Sequence, residues 1–235
     1  MSASSYTTIT RMSGLAREMR VVANNIANAS TTGYRAEQAL FSEYIRRVDD
    51  TSLSMASARI GHTNLAQGTL GQTGGQFDFA IEGDGFFQVQ TDDGPRLTRG
   101  GAFTKTPEGA LVTMDGNAVL DAGGAPIFVP PGGDVRVAPD GTMTLGGRAF
   151  AELGLVRPVD PNRLVREGSQ LFDPDGEVEP VVDTRIRQGF LEASNVDPVN
   201  ELARMIEVSR AYELGQSFLE SENDRLRDAI KSMSR

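Results

Sequence analysis

The chain has 235 residues, no cysteine, a single histidine at His62 and a net charge of −9. Absence of cysteine excludes a disulfide scaffold, a thiolate zinc site and a thiol nucleophile, and one histidine argues against a histidine-ligated metal or Ser-His-Asp catalysis. The acidic total argues against a general nucleic-acid binder, no run of about 18 apolar residues could span a membrane, and the opening MSASSYTTITRMSG lacks the charged and apolar regions of a secretory signal.

Proline is absent before Pro95 and after Pro198, and 20 of the 26 glycines lie between Gly61 and Gly154. Residues 1–48 carry a net +3, residues 49–197 a net −11 and residues 198–235 a net −1. Glycine and proline interrupt helices, so the two ends are expected to be helical and the acidic middle is not.

The first predicted element covers residues 4–29. Ile9, Met12, Ala16, Met19, Ala23 and Ile26 recur at alternating steps of three and four, with Leu15 and Val22 widening the stripe on one side. That spacing suits a heptad seam, and equally an ordinary amphipathic helix packed on its own domain. Gly33, after Ser30-Thr31-Thr32, reads as a helix terminator. Next, Leu40, Phe41, Tyr44, Ile45 and Val48 fall at helical spacing within residues 36–48, which predicts a short helix.

The middle reads as β. Apolar residues alternate in Phe77–Ile81, Phe87–Gln90 and Val135–Val137, and turn signals recur at Asp93-Gly94, Glu108-Gly109, Asp115-Gly116, Gly123-Gly124, Asp140-Gly141, Gly146-Gly147 and Asp175-Gly176. Asp-Gly suits a tight hairpin in which both central residues take positive φ. Short strands with frequent turns predict an antiparallel sandwich or small barrel.

At the C-terminus, Asp197 reads as an N-cap with Pro198 at the first helical position. About 36 residues follow, a helix of roughly 55 Å. Leu202, Met205, Ser209, Tyr212, Gln216, Leu219, Asn223, Leu226, Ile230 and Met233 keep the three-four spacing. Ser209, Gln216 and Asn223 sit seven apart, either fixing the register of a seam or facing water at its edge. So long a helix is marginal alone and needs a partner.

Motifs for chemistry are weak. Gly83-Asp84-Gly85 and Gly71–Gly75 resemble phosphate loops only in glycine content and read as turns. Asp173–Glu177 opens like a calcium loop, but Val178 and Thr184 occupy positions where glycine and glutamate are required. His62 has no second histidine and is placed in a polar linker. Pairs such as Asp92-Asp93 lie in solvated turns. No enzyme activity, cofactor, metal or small-molecule substrate is expected.

Three stretches carry a family likeness. ANNIANASTTGYRA (Ala23–Ala36) resembles the N-terminal signature of the flagellar rod and hook axial proteins. GQTGGQFDFAIEGDGFFQV (Gly71–Val89) and LTRGGAFTKTPEGALVTMDGNAVL (Leu97–Leu120) are similar to the β domain of the rod proteins. LEASNVDPVNELARMIEVSRAYELGQ (Leu191–Gln216) is similar to the family's C-terminal signature. Within the family, the length and the ending SRAYELGQSFLESENDRLRDAIKSM look most like the proximal rod proteins. A distal rod or hook-type subunit is the alternative. A secreted coiled-coil adhesin with a β head, from a different class, would need a secretory signal and would trimerise alone.

The resemblance implies an α+β fold in which the N- and C-terminal helices pair into a coiled coil around a central antiparallel all-β domain. The expected parts are an N-terminal helix at 1–33, a connecting segment at 34–64, a β domain at 65–190 and a C-terminal helix at 191–235. It implies a structural subunit of the basal-body rod, crossing the periplasm, polymerised through its terminal helices into a hollow drive shaft that transmits torque. Partners would be other rod proteins, further copies of itself and the flagellar type III export apparatus, with no nucleic acid and no membrane insertion. The expected assembly residues are Ile9, Met12, Met19, Ile26, Leu202, Met205, Tyr212, Leu219 and Leu226. Asn24, Asn25 and Asn28 are expected either to bridge subunits by hydrogen bonds or to form a polar helix face.

Overall fold

A computed structural model of the chain describes residues 3–48, 51–181 and 183–233, with side chains described for 6–39, 62–181 and 183–233. The fold is α+β: an N-terminal helix α1 (Ala3–Ala27), an antiparallel hairpin β1 (Glu37–Val48) and β2 (Thr51–Thr63), a region of short antiparallel strands, and a C-terminal helix α2 (Pro198–Met233). These elements form two compact units. The helical unit contains α1, β1, β2 and α2, and the β unit contains Asn28–Ala36 and Leu65–Val196.

In the β unit the largest sheet has nine strands. Its central strand, Phe86–Thr91, pairs with Gly94–Thr98, with Ala118–Val119 and with Leu155–Pro158. Phe79, Ile81, Phe87, Val89, Leu111, Val119, Ile127 and Met143 fill the core beneath it, each at most 1 % exposed. The alternation read in Phe77–Ile81, Phe87–Gln90 and Val135–Val137 corresponds to strands Phe79–Glu82, Phe86–Thr91 and Val135–Val137. Turn glycines adopt positive φ at Gly94, Gly109, Gly116, Gly124 and Gly141, but the residue before each (Asp93, Glu108, Asp115, Gly123 and Asp140) does not. The glycine alone therefore carries the left-handed residue of these turns, whereas a hairpin with both central residues at positive φ was expected. At Asp175-Gly176 the roles reverse, with Asp175 at φ 40°.

In the helical unit the start of α2 matches its sequence signal. Asp197 Oδ1 accepts from the backbone N–H of Val199 at 3.0 Å and of Asn200 at 3.2 Å. The helix expected over residues 36–48 is instead strand β1, paired residue for residue with β2 through a register shift at Gln38/Ala39. Helical spacing over one short window does not exclude a strand, and pairing with the next segment decides. The side chains of Leu40, Phe41, Tyr44, Ile45 and Val48 lie outside those described. His62 closes β2 as an exposed residue rather than sitting in a linker. Helix α1 ends at Ala27, six residues before Gly33. Gly33 does take φ 69°, but its role is close approach: a Cβ there would lie 2.4 Å from the Arg99 carbonyl carbon.

Candidate assembly interface

The two helices of the helical unit bury unequal faces. Helix α1 buries Leu15, Glu18, Val21, Val22 and Asn25, a row beside the predicted seam. Helix α2 buries one side chain, Val208. The helices meet at Gly215, where a Cβ would stand 3.0 Å from Met12 Cγ, and at Glu18, whose Oε1 accepts from Arg204 Nε at 2.6 Å. Between them runs a groove of about 330 Å³ lined by Met12, Leu15, Leu214, Gly215 and Phe218 among others.

Of the nine apolar residues predicted for assembly, Met12, Met19, Ile26, Met205, Tyr212 and Leu219 are half-buried, and Ile9, Leu202 and Leu226 are exposed. Exposure extends past the predicted set to Ile206, Leu214, Phe218, Ile230 and Met233 on α2. Of the polar row, Ser209 is half-buried, while Gln216 and Asn223 face outward.

The asparagines have different surroundings. Asn25 is 1 % exposed, its Oδ1 accepting from Glu37 N at 3.0 Å and its Nδ2 donating to Glu37 O at 2.9 Å. It thereby fixes the first residue of β1 against α1. Asn28 Oδ1 accepts from the Thr31 hydroxyl at 3.1 Å, and Asn24 is exposed. Glu201, also bonded to Asn25, is held above the usual carboxylate range by burial, which Asn25 and Arg204 partly offset.

In the β unit the two signature stretches converge on residues that the sequence reading did not single out. Glu192 is 1 % exposed. Its Oε1 contacts Arg35 Nη1 at 2.7 Å and accepts from Gly68 N at 2.8 Å. Its Oε2 accepts from Arg99 Nε at 2.8 Å. Arg99 also donates to the carbonyls of Gly85 at 2.6 Å and Gly83 at 3.0 Å, so the Gly83-Asp84-Gly85 turn presents oxygens to a guanidinium rather than amides to a phosphate. Burial, then the nearby Arg99 charge, lowers Arg35 to about 10 despite Glu192. Asn195 ties the same strands of chain: its Oδ1 accepts from Ala36 N at 2.6 Å, its N donates to Tyr34 O at 3.3 Å, and its Nδ2 donates to Ala66 O at 2.8 Å. The available signal was a charge or amide standing among small residues in each signature stretch.

Three family profiles match the chain: "Flagella basal body rod protein" at residues 6–35, "Flagellar hook protein FlgE/F/G D1 domain" at 80–145 and "Flagellar basal body rod FlgEFG protein C-terminal" at 187–232. The chain is 38 % identical to the flagellar basal-body rod protein FlgF of Caulobacter vibrioides, across 98 % of its own length and 97 % of that protein's. The chain belongs to the family of flagellar basal-body rod proteins. A second FlgF, from Mesorhizobium japonicum, is 35 % identical, covering 99 % of this chain and 98 % of the relative. FlgG of Agrobacterium fabrum is 31 % identical, covering 92 % and 93 %. The family is structural rather than enzymatic. Its two terminal profiles take in Arg35, Glu192, Asn195 and nearly all of both helices of this rod protein.

Proposed function

We propose that this rod protein is a proximal rod subunit that polymerises through its terminal helices, pairing α1 and α2 as a coiled coil with those of neighbouring copies and other rod proteins. The observation that carries this reading is α2: thirty-six residues with Val208 as its buried side chain, and with Leu202, Leu214, Phe218, Leu226 and Ile230 exposed. An apolar face that its own chain leaves uncovered is the surface that subunit association buries. The assembled helices form a hollow shaft that transmits torque across the periplasm, and the β unit contacts neighbours outside it. Helices that are marginal alone keep the monomer from polymerising early and suit passage through the flagellar type III export apparatus. Identities to FlgF proteins run from 29 to 38 % and those to FlgG proteins from 29 to 31 %, and the three FlgF proteins at 35–38 % favour the proximal position.

The test is cryo-electron microscopy of isolated basal bodies with a small tag inserted at the exposed Gly146-Gly147 turn. Density in the cell-proximal rod is expected. Density at the hook end would assign the distal alternative, and no density in the rod would overturn the reading.

A further inference from the structure

The β unit receives both terminal segments at one place. Residues 28–36 arrive there directly after α1, and residues 192–196 leave there directly before α2. Glu192 joins the two through Arg35 and joins both to the sheet region through Arg99 and Gly68. Gly33 N donates to Glu192 O at 2.7 Å, and the Gly33 backbone packs too closely on Arg99 for any side chain. Asn195 adds a second set of bonds, to Tyr34, Ala36 and Ala66.

We infer that Glu192 and Asn195 form a latch that clamps residues 28–36 and 192–196 together on the β unit, so that the roots of α1 and α2 are held side by side before either helix is ordered. The physical need is clear from the sequence separation. About 170 residues lie between the end of α1 and the start of α2, and closing a long loop is entropically unfavourable. With the latch closed, only a few residues separate each helix from a fixed point. The chemistry fits a device for register more than for gross stability. A buried carboxylate between two buried guanidinium groups gains little over an apolar core, yet without Glu192 both guanidinium charges are stranded, and without Arg35 the Glu192 Oε1 keeps only its bond from Gly68 N. The latch therefore closes only when both segments are in place. The latch is a property of the single chain and holds for either rod position.

Amide exchange resolved by NMR on the full chain in dilute solution tests this, with Asn195→Ala and Glu192→Gln as variants. In the unaltered chain, the amides of Gly33, Ala36 and Asn195 are expected to exchange as slowly as the sheet amides of Leu111 and Leu120, and far more slowly than those of residues 214–233. Asn195→Ala should speed exchange in residues 28–36 at least tenfold while Leu111 and Leu120 stay unchanged. Glu192→Gln should produce a larger acceleration. If it unfolds the whole β unit, Asn195→Ala decides. Segment amides as fast as those of α2 in the unaltered chain, or a sheet accelerated as much as the segments in Asn195→Ala, would overturn the latch.

Discussion

The β unit and the helical unit solve the problem of burying apolar surface in opposite ways. The β unit closes its core within one chain: Phe79, Phe87, Val89, Leu111, Val119 and Met143 are essentially inaccessible, and Phe87 meets Phe103 edge-on with ring centroids 5.3 Å apart. The helical unit leaves apolar surface outside. Of its two long helices, α2 keeps Leu202, Ile206, Leu214, Leu226, Ile230 and Met233 in solvent. Under the proposed function, one part of this rod protein is a finished domain and the other a component. A finished core is sensitive to internal truncation and indifferent to concentration, whereas a component responds to partners.

Substitutions should separate the two units. The largest effect on the isolated chain is expected for Phe87→Ala, which empties a site in the closed core and should cost about 3–5 kcal/mol, read as a lower melting temperature of the β unit. Gly33→Ala comes next. Its positive φ alone should cost about 1–3 kcal/mol, and the Cβ would also strike the Arg99 backbone, so chemical denaturation should show a clear loss. Within the helical unit, Arg204→Ala leaves the buried Glu18 carboxylate without its ion pair. Solvent around Arg204 limits the cost to about 1 kcal/mol, measurable by helical circular dichroism on heating. Paired Leu226→Ser and Ile230→Ser should change isolated-chain stability by less than about 0.5 kcal/mol, yet prevent incorporation into basal bodies. A large stability loss from that pair would mean that α2 already packs within its own chain.

The smallest expected effect is a pH dependence at Glu201. Its carboxyl is raised by burial, so the folded chain binds more protons than the unfolded chain between the ordinary glutamate value and the raised one. Stability therefore falls as pH rises through that window. Glu201→Gln should melt higher than the unaltered chain at neutral pH, and the gap should close as pH drops into the carboxylate range.

Much of this division is visible in the residues themselves. Asp197-Pro198 marks the start of α2 because a cap and a first-turn proline act locally. The strands around Phe79 and Phe87 declare themselves by alternation. Strand β1 does not, because its five apolar residues also suit a helix and its Ser- and Ala-rich partner TSLSMASARIGHT has no strong strand pattern. The exposed residues of α2 were partly legible. The spacing selects Leu202 and Leu226, but Leu214 and Phe218 lie off that row and show their exposure only once the helix is packed. Arg35, Arg99 and Glu192 were out of reach for a different reason: they are brought together from three distant positions, and no local pattern encodes a pairing across that separation.

The central claim is that the helical unit is completed by other subunits. Hydrogen exchange measured side by side on dilute monomer and on assembled rods tests it most directly. Rapid exchange across residues 214–233 is expected in the monomer and strong protection in the rod, with Leu111 and Leu120 protected in both. Residues 214–233 equally protected in both states would contradict it.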